Sequence, residues 1–556
     1  MANNGQVKAK EKTMRLRVGV LRILSSDFGN RQTLFLILFG AGFVCHGYEL
    51  FSKRPNYDEF ISMFHYGGGY RLGRWFLSLL GNLVFRISGC YSLPWLGGLL
   101  FLALLSAAAV VFLRAFSFEN RFAEALAGIL FLVFPSQTAT LTYLFTAPYY
   151  AFAVLLAAAA FYLTVRFRWG FAFGAVLLCF SMGIYQAYFC LIAALLLVLV
   201  LIFFLKEKTD PKEGLFLIGK GLCMLIAGMG LYLVINRVML AWKGTELSEY
   251  QGIANMGKAS GASIISATGL AYRRFFTVFA ADDGHLFPYA LLRACVWICM
   301  IVSLFLIARS VLRLVREKAE GLPIRLAMVL LCLILLPFGI NLIFLMGSEN
   351  PETVHMLMRS ASFLMLALPL FLWEVSRREE SENPASGAAR SAGHIPAETA
   401  GPEGTPLIRC GRILTHAALI LSIFLYIKFA NTVYLSYEIR YEQMYAFFQT
   451  LETRIQSVPG YDATLPLIFV GTYTGDESLW EFADQDDTTG HYRISYVVNY
   501  GDMRANIFRI FFGYRYPETL PDETLLAGEA FRSMPVYPND GSIRIINDTI
   551  VVKFSD

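Results

Sequence analysis

The stretch "RPNYDEFISMFHYGGGYRLGRW", residues 54 to 75, brings together two adjacent carboxylates, Asp58 and Glu59, the aromatic Tyr57 and two arginines, Arg71 and Arg74, just after a long apolar run. A carboxylate placed where an apolar region ends sits in a medium that raises its pKa and makes it a better base, while a nearby arginine can hold it ionised. Such a set can take a proton from a hydroxyl group, and paired guanidinium groups can grip a phosphate at the membrane surface. The same residues allow a plainer reading. Acids are favoured at a helix N-terminus, here the start of "DEFISMFHY", and arginines snorkel to lipid headgroups. Beyond the glycines, Leu72, Trp75, Phe76, Leu79 and Leu80 recur at helical spacing in a run flanked by Arg71, Arg74 and Arg86. It is too short and too charged to span, so it is predicted to lie in the interface plane with Arg71 and Arg74 one turn apart on one face.

Two further sets invite chemistry. Tyr185 and Gln186, in "SMGIYQAYF", cap a predicted hairpin of two helices, where they can bind sugar hydroxyls or satisfy backbone groups in a tight turn. "SENPETVHMLMR" offers Glu349, Glu352, His355 and Arg359, with the last two one turn apart. Other patterns fail on inspection. "GIANMGKAS" spaces Gly252, Gly257 and Lys258 as a phosphate loop would, but Ala259 stands where a magnesium-binding hydroxyl belongs and no strand precedes it. "DQDD", Asp484 to Asp487, reads as a solvated acidic turn or a weak cation site. No ligand set specifies a metal, and whether a divalent ion assists is left open by the sequence.

These residues must be positioned by a membrane protein. The chain of 556 residues is 56% hydrophobic and 16% charged, and its charges fall in short blocks between apolar runs long enough to cross a hydrocarbon core. Spans are predicted near 33–51, 94–113, 122–139, 145–165, 170–184, 187–205, 214–240, 287–312, 324–346, 357–375 and 413–430, about eleven helices. Alternate loops carry the Lys and Arg, including Arg114 and Arg121, Lys206 and Lys208, Arg313 and Arg316, and Arg377 and Arg378. This places the N-terminus, with the basic residues 1–32, in the cytoplasm and the C-terminal segment outside. The net charge of +5 therefore records orientation and not a nucleic-acid partner. The first apolar run lacks a signal-peptide exit and reads as a retained helix.

The organisation that follows is a transmembrane domain over 33–375 with outer loops at 52–93 and 241–286, a linker, a last span at 413–430, and an extracytoplasmic α/β domain over 431–556. The linker, 376–412, contains "EESENPASGAARSAGHIPAETAGPEGTP" and is predicted to be disordered and cytoplasmic. In the C-terminal domain "YEIRYEQMYAFFQTLETRI" has helical spacing, "LPLIFVG" reads as a buried strand, and "GSIRIINDTIVVKF" as a hairpin turning at "ND". Of nine cysteines, none lies after residue 431, so that domain has no disulfide, and no CxxC pair suggests zinc or redox chemistry.

A first span followed by a large outer loop carrying an acidic pair, then "GRW", resembles the GT-C class of integral-membrane glycosyltransferases, and more closely the Gtr-type O-antigen glucosyltransferase family. "FPSQTATLTYLF", "SMGIYQAYF" and the closing "MPVYPNDGSIRIINDTIVVKF" carry the resemblance along most of the chain; the linker shows none. The family often has two aspartates where this chain has Asp58 and Glu59. The resemblance implies a GT-C-like fold in a bacterial cytoplasmic membrane, a polyprenyl-phosphate hexose (glucose) donor, and a cell-envelope polysaccharide acceptor on the outer side. Asp58 would be the base, Glu59 its assistant or a sugar ligand, and Arg71, Arg74 and Arg359 the groups that stabilise the leaving phosphate. Tyr57, Tyr185, Gln186, Glu349 and His355 would contact substrate. Two other functions compete. A flippase for lipid-linked glycan would show internal repeats and mid-membrane charge; the charged or polar residues inside the spans are few, Lys220, Asn236 with Arg237, and Asn341. A non-catalytic envelope-glycan assembly protein would not need the acidic pair.

Overall fold

In lipid a backbone must satisfy its own hydrogen bonds, so the apolar runs fold as helices. The computed structural model describes residues 31–52, 55–62, 69–89, 94–248, 261–283, 285–346, 354–381, 406–475, 494–513, 516–517 and 522–555. In chain order the helices are α1 (Arg31–Leu50), α2 (Tyr57–Ser62), α3 (Trp75–Ser88), α4 (Pro94–Phe116), α5 (Arg121–Val133), α6 (Pro135–Leu141), α7 (Ala147–Arg166) and α8 (Gly170–Ile184). There follow α9 (Tyr188–Leu205), α10 (Pro211–Lys243), α11 (Gly261–Thr277), α12 (Ala290–Arg316), α13 (Leu322–Ile340), α14 (Ile343–Met346), α15 (Leu364–Ser381) and α16 (Pro406–Gln456). Among the described residues eight helices, α1, α4, α7, α9, α10, α12, α13 and α16, are long and apolar enough to cross a membrane, or nine if the bent pair α5–α6 is one span.

The predicted eleven runs are all helical, but three differ from simple spans. The run at 122–139 bends by 44° where Phe134 leads into Pro135. Proline lacks the N–H that would continue the ladder, so carbonyls at the end of α5 need other donors. His46 supplies one: its Nε2 lies 2.9 Å from the Leu132 carbonyl and its Nδ1 lies 2.7 Å from the Tyr434 hydroxyl. A carbonyl only accepts, so Nε2 carries the hydrogen and Nδ1 accepts from the tyrosine. That one buried ring ties α1, α5 and α16 together. The run at 170–184 is a helix of 15 residues, and the run at 357–375 begins with two 3-10 turns, Met356–Met358 and Ser360–Phe363, before α15.

Charges inside the bundle cap helix ends. The Lys220 ammonium donates to the carbonyls of Thr164 and Phe167 at the end of α7, and Arg325 donates to those of Phe204 and Glu207 past the end of α9. Cations are favoured at helix C-termini.

The linker is shorter than its composition suggests, because α15 runs to Ser381 and α16 begins at Pro406; residues 382–405 lie outside the described residues. The segment 241–286, predicted as an outer loop, contains α11, whose Ala271 carbonyl accepts from Asn341. The largest departure is α16. A separate span and a following helix are predicted, but one helix of 51 residues forms, because no proline or glycine interrupts residues 412–458.

Helix α16 threads two hydrophobic cores: Tyr434 belongs to that of the bundle and Tyr437 to a second one built by the C-terminal residues. There β1 (Leu467–Val470), β2 (Ile543–Ile546) and β3 (Thr549–Lys553) form a sheet of order β1-β3-β2. Leu467 pairs with Ile550 in parallel, and Ile545 with Ile550 antiparallel. Asn547 and Asp548, at φ 49° and 56°, make the hairpin turn. Asparagine and aspartate tolerate the left-handed region that a two-residue turn requires.

Candidate functional site

A single tight turn presents Arg74. Residues Gly69–Leu72 form a 3-10 turn, Gly73 has φ +69°, and Arg74 is the N-cap residue of α3. Gly73 is required twice over: it holds a left-handed conformation, and a Cβ there would lie 2.5 Å from the Tyr232 hydroxyl and 2.9 Å from the Gln186 amide nitrogen. Those two groups clamp the turn. Gln186 Nε2 donates to the Leu72 carbonyl and to Tyr232 Oη, both at 2.9 Å, and Tyr232 Oη donates to the Gly73 carbonyl at 3.1 Å. From the end of α10, the Ser248 N–H donates to the Arg71 carbonyl at 2.8 Å.

The guanidinium so held lies against aromatics. Arg74 Nη1 donates to the Tyr150 hydroxyl at 3.1 Å, and its Cζ sits 4.9 Å from the centre of the Tyr185 ring, which stacks on Tyr150 at 4.5 Å and 19°. Cation–π attraction and the phenol hydroxyl fix its direction. Next door, Trp75 packs where Gly183 has no side chain; a Cβ there would come within 2.7 Å of the indole.

This geometry corrects one expectation. Arg71 and Arg74 do not share a helical face, because the left-handed Gly73 falls between them: Arg71 belongs to the 3-10 turn with its side chain exposed, while Arg74 turns inward. The Gln186 amide donates to the Leu72 carbonyl and to Tyr232, and the Tyr185 ring lies against Arg74.

The acids stand on α2. Asn56 caps this helix: its Oδ1 accepts from the Asp58 N–H at 2.9 Å, and its Nδ2 donates to the Thr142 carbonyl at 2.9 Å, fastening α2 to the end of α6. Glu59 is buried and its Oε2 accepts from the Asn56 N–H at 3.4 Å. Asp58 is partly buried, and desolvation pushes its pKa up to about 6 against the opposing pull of the Arg74 guanidinium. Tyr57 lies in α2, with its side chain outside the described residues.

His355 starts the 3-10 turn Met356–Met358, which packs against α6. Burial holds its pKa below the ordinary value, and the Arg74 charge depresses it further. Asp58 and His355 are thus both in electrostatic reach of Arg74. Arg359 is placed differently: its Nη2 lies 2.7 Å from Asp283 Oδ2, its Nη1 donates to the Asp283 carbonyl at 3.0 Å, and Arg274 holds the other carboxylate oxygen at 2.5 Å. Its guanidinium is paired with a buried carboxylate that it shares with Arg274. Glu349 and Glu352 lie outside the described residues, as do Asp484 to Asp487 and residues 252–258. Among the described residues no three His, Cys, Asp or Glu side chains are grouped to hold a metal ion.

The stretches singled out in the sequence meet in space: "GRW" packs on "SMGIYQAYF", and the acid helix hangs from "FPSQTATLTYLF" through Thr142. The family described as Glucosyl transferase GtrII matches residues 47–372, more than half of the chain. The chain belongs to this family. The matched region opens inside α1, ahead of the acid pair, and closes inside α15, so it contains Asp58, Arg74, Gln186 and His355. For a GtrII glucosyl transferase the eight or nine apolar helices describe a polytopic membrane protein that transfers a glucosyl group in glycan modification. No curated protein and no solved structure is found to match the chain.

Sequence reasoning overlooked Asn56, Tyr150, Tyr232 and Asp283. Asn56, directly ahead of "YDE", carries an N-cap pattern that was there to be read. Tyr150 and Tyr232 lie within apolar runs, where a tyrosine looks like any other interfacial aromatic.

Proposed function

We propose that this GtrII glucosyl transferase moves glucose from a polyprenyl-phosphate carrier to a cell-envelope polysaccharide on the outer side of a bacterial cytoplasmic membrane, within a GT-C-like fold. The observation that carries this reading is the pairing of a half-dry carboxylate, Asp58, with a rigidly aimed guanidinium, Arg74. The acceptor hydroxyl attacks the anomeric carbon as Asp58 takes its proton. The bond from that carbon to the phosphate oxygen breaks, and the lipid phosphate leaves with the electron pair. Charge grows on the phosphate as the bond stretches, and a preorganised guanidinium in a water-poor site stabilises that charge most in the transition state. Glu59 supports the fold of α2, and His355, whose charged form burial disfavours, would exchange a hydrogen bond with a sugar hydroxyl. A C-terminal region on the same outer side agrees with the charge pattern of the loops.

Purified protein supplied with polyprenyl-phosphate glucose and envelope polysaccharide should release polyprenyl phosphate, and UDP-glucose should not substitute. Asp58→Asn keeps the shape of the side chain and removes the proton acceptor, so transfer should fall by about a hundredfold or more. Near-normal turnover by Asp58→Asn, or use of UDP-glucose alone, would contradict the proposal.

A further inference from the structure

The second hydrophobic core contains one residue from far outside the C-terminal region. Every other buried member lies between Tyr437 and Phe554, yet Phe60 of α2, fully buried, belongs to it. Its ring meets Phe511 edge-on at 5.8 Å, and its carbonyl accepts from Asn506 Nδ2 at 2.7 Å. Phe511 lies in a π-helical turn, Phe508–Phe512, that continues the helix Gly501–Ile507 on which Asn506 sits. Such turns are rare and often occur at functional sites.

A helix of six residues cannot hold its own orientation in solution, because nucleation costs more than one turn of hydrogen bonds returns. Tertiary contacts must therefore aim α2. Asn56 attaches its first turn to the bundle through Thr142, and Phe60 and Asn506 attach its end to the C-terminal region. Asp58 lies between the two attachments.

We infer that the C-terminal region aims the acid helix, with Phe60 and Asn506 as positioning residues for Asp58. This rests on the reading of Asp58 as the base, and it extends the working unit beyond the stretch the family matches. An error of about 1 Å in a reacting group can cost about a hundredfold, so partial release of α2 should slow turnover without weakening donor binding, which lies on the Arg74 side.

The test uses the full chain. Asn506→Leu keeps the branched shape and removes the donor at a half-buried position; Phe60→Leu leaves an apolar side chain that cannot fill the same site. Hydrogen–deuterium exchange should rise across residues 56–62 and stay constant across 69–74, while kcat falls about tenfold with KM for polyprenyl-phosphate glucose unchanged. Asn506→Ser removes the amide without added apolar bulk and gives the same readings should Asn506→Leu fail to purify. Unchanged exchange over 56–62 would overturn the attachment, and raised exchange with wild-type kcat would overturn the positioning role. The reading of Asp58 as the base fails separately, if Asp58→Asn turns over normally.

Discussion

The two halves of the site are secured in different ways. The Arg74 side is a turn locked by the bundle, with a glycine that admits no side chain, one hydrogen bond each from Gln186 and Tyr232, which also bond each other, and a stacked tyrosine pair beside the guanidinium. The Asp58 side is one short helix held at its start by Asn56 and at its end by residues from the far end of the chain. On the reading proposed above, the turn that aims Arg74 would meet the donor phosphate as a rigid part, and the helix that carries Asp58 would depend on a second region to meet the acceptor. The contrast also separates Arg74 from Arg359, which looked alike in sequence: one lies on tyrosine rings, the other is consumed by Asp283.

The contrast can be broken at the turn first. Gly73→Ala forces a side chain into the left-handed region and against Tyr232 and Gln186, so the turn must shift and carry Arg74 with it. Transfer should fall by about a hundredfold with the protein still inserted, since a displaced guanidinium no longer meets the phosphate. Near-normal donor use by that variant would mean that the turn does not aim Arg74.

Arg359→Leu should act on the fold instead. It leaves the buried Asp283 carboxylate with Arg274 alone, and breaking a buried ion pair costs about 3–5 kcal/mol. Expression and melting temperature in detergent should drop while the surviving fraction keeps its KM for donor; a selective rise in that KM would return Arg359 to phosphate binding. Smallest of all, Arg71→Ala removes an exposed side chain from a turn held through its backbone, and turnover should change by less than about twofold. A loss comparable to that of Gly73→Ala would restore the paired-arginine clamp.

Much of this was legible in the chain. Hydropathy located every apolar helix, and "ND" between two β-branched runs located the terminal hairpin. What the sequence hid has physical reasons. Helical periodicity from Leu72 to Leu80 masks the reversal at Gly73, because a left-handed glycine looks the same as a helical one in a string of letters. The partner of Arg359 lies 76 residues away and that of Phe60 lies 446 away, distances over which no local pattern reports. The polar composition past residue 430 suggests a new element, but α16 continues since only its surroundings change, from lipid and bundle to the second core.

The central claim is that Asp58 works as a base whose ionisation Arg74 assists, and the pH dependence of kcat/KM tests it most directly. A base acts only when deprotonated, so the wild-type rate should fall as pH drops through about 6, the value to which burial raises Asp58. Arg74 pulls that pKa down against burial; in Arg74→Gln the pull is gone, so the acid limb should move to higher pH, while Arg74→Lys, which keeps the charge, should leave it nearly in place. An acid limb that stays put or moves to lower pH in Arg74→Gln, or a wild-type profile with no limb in this range, would contradict the account.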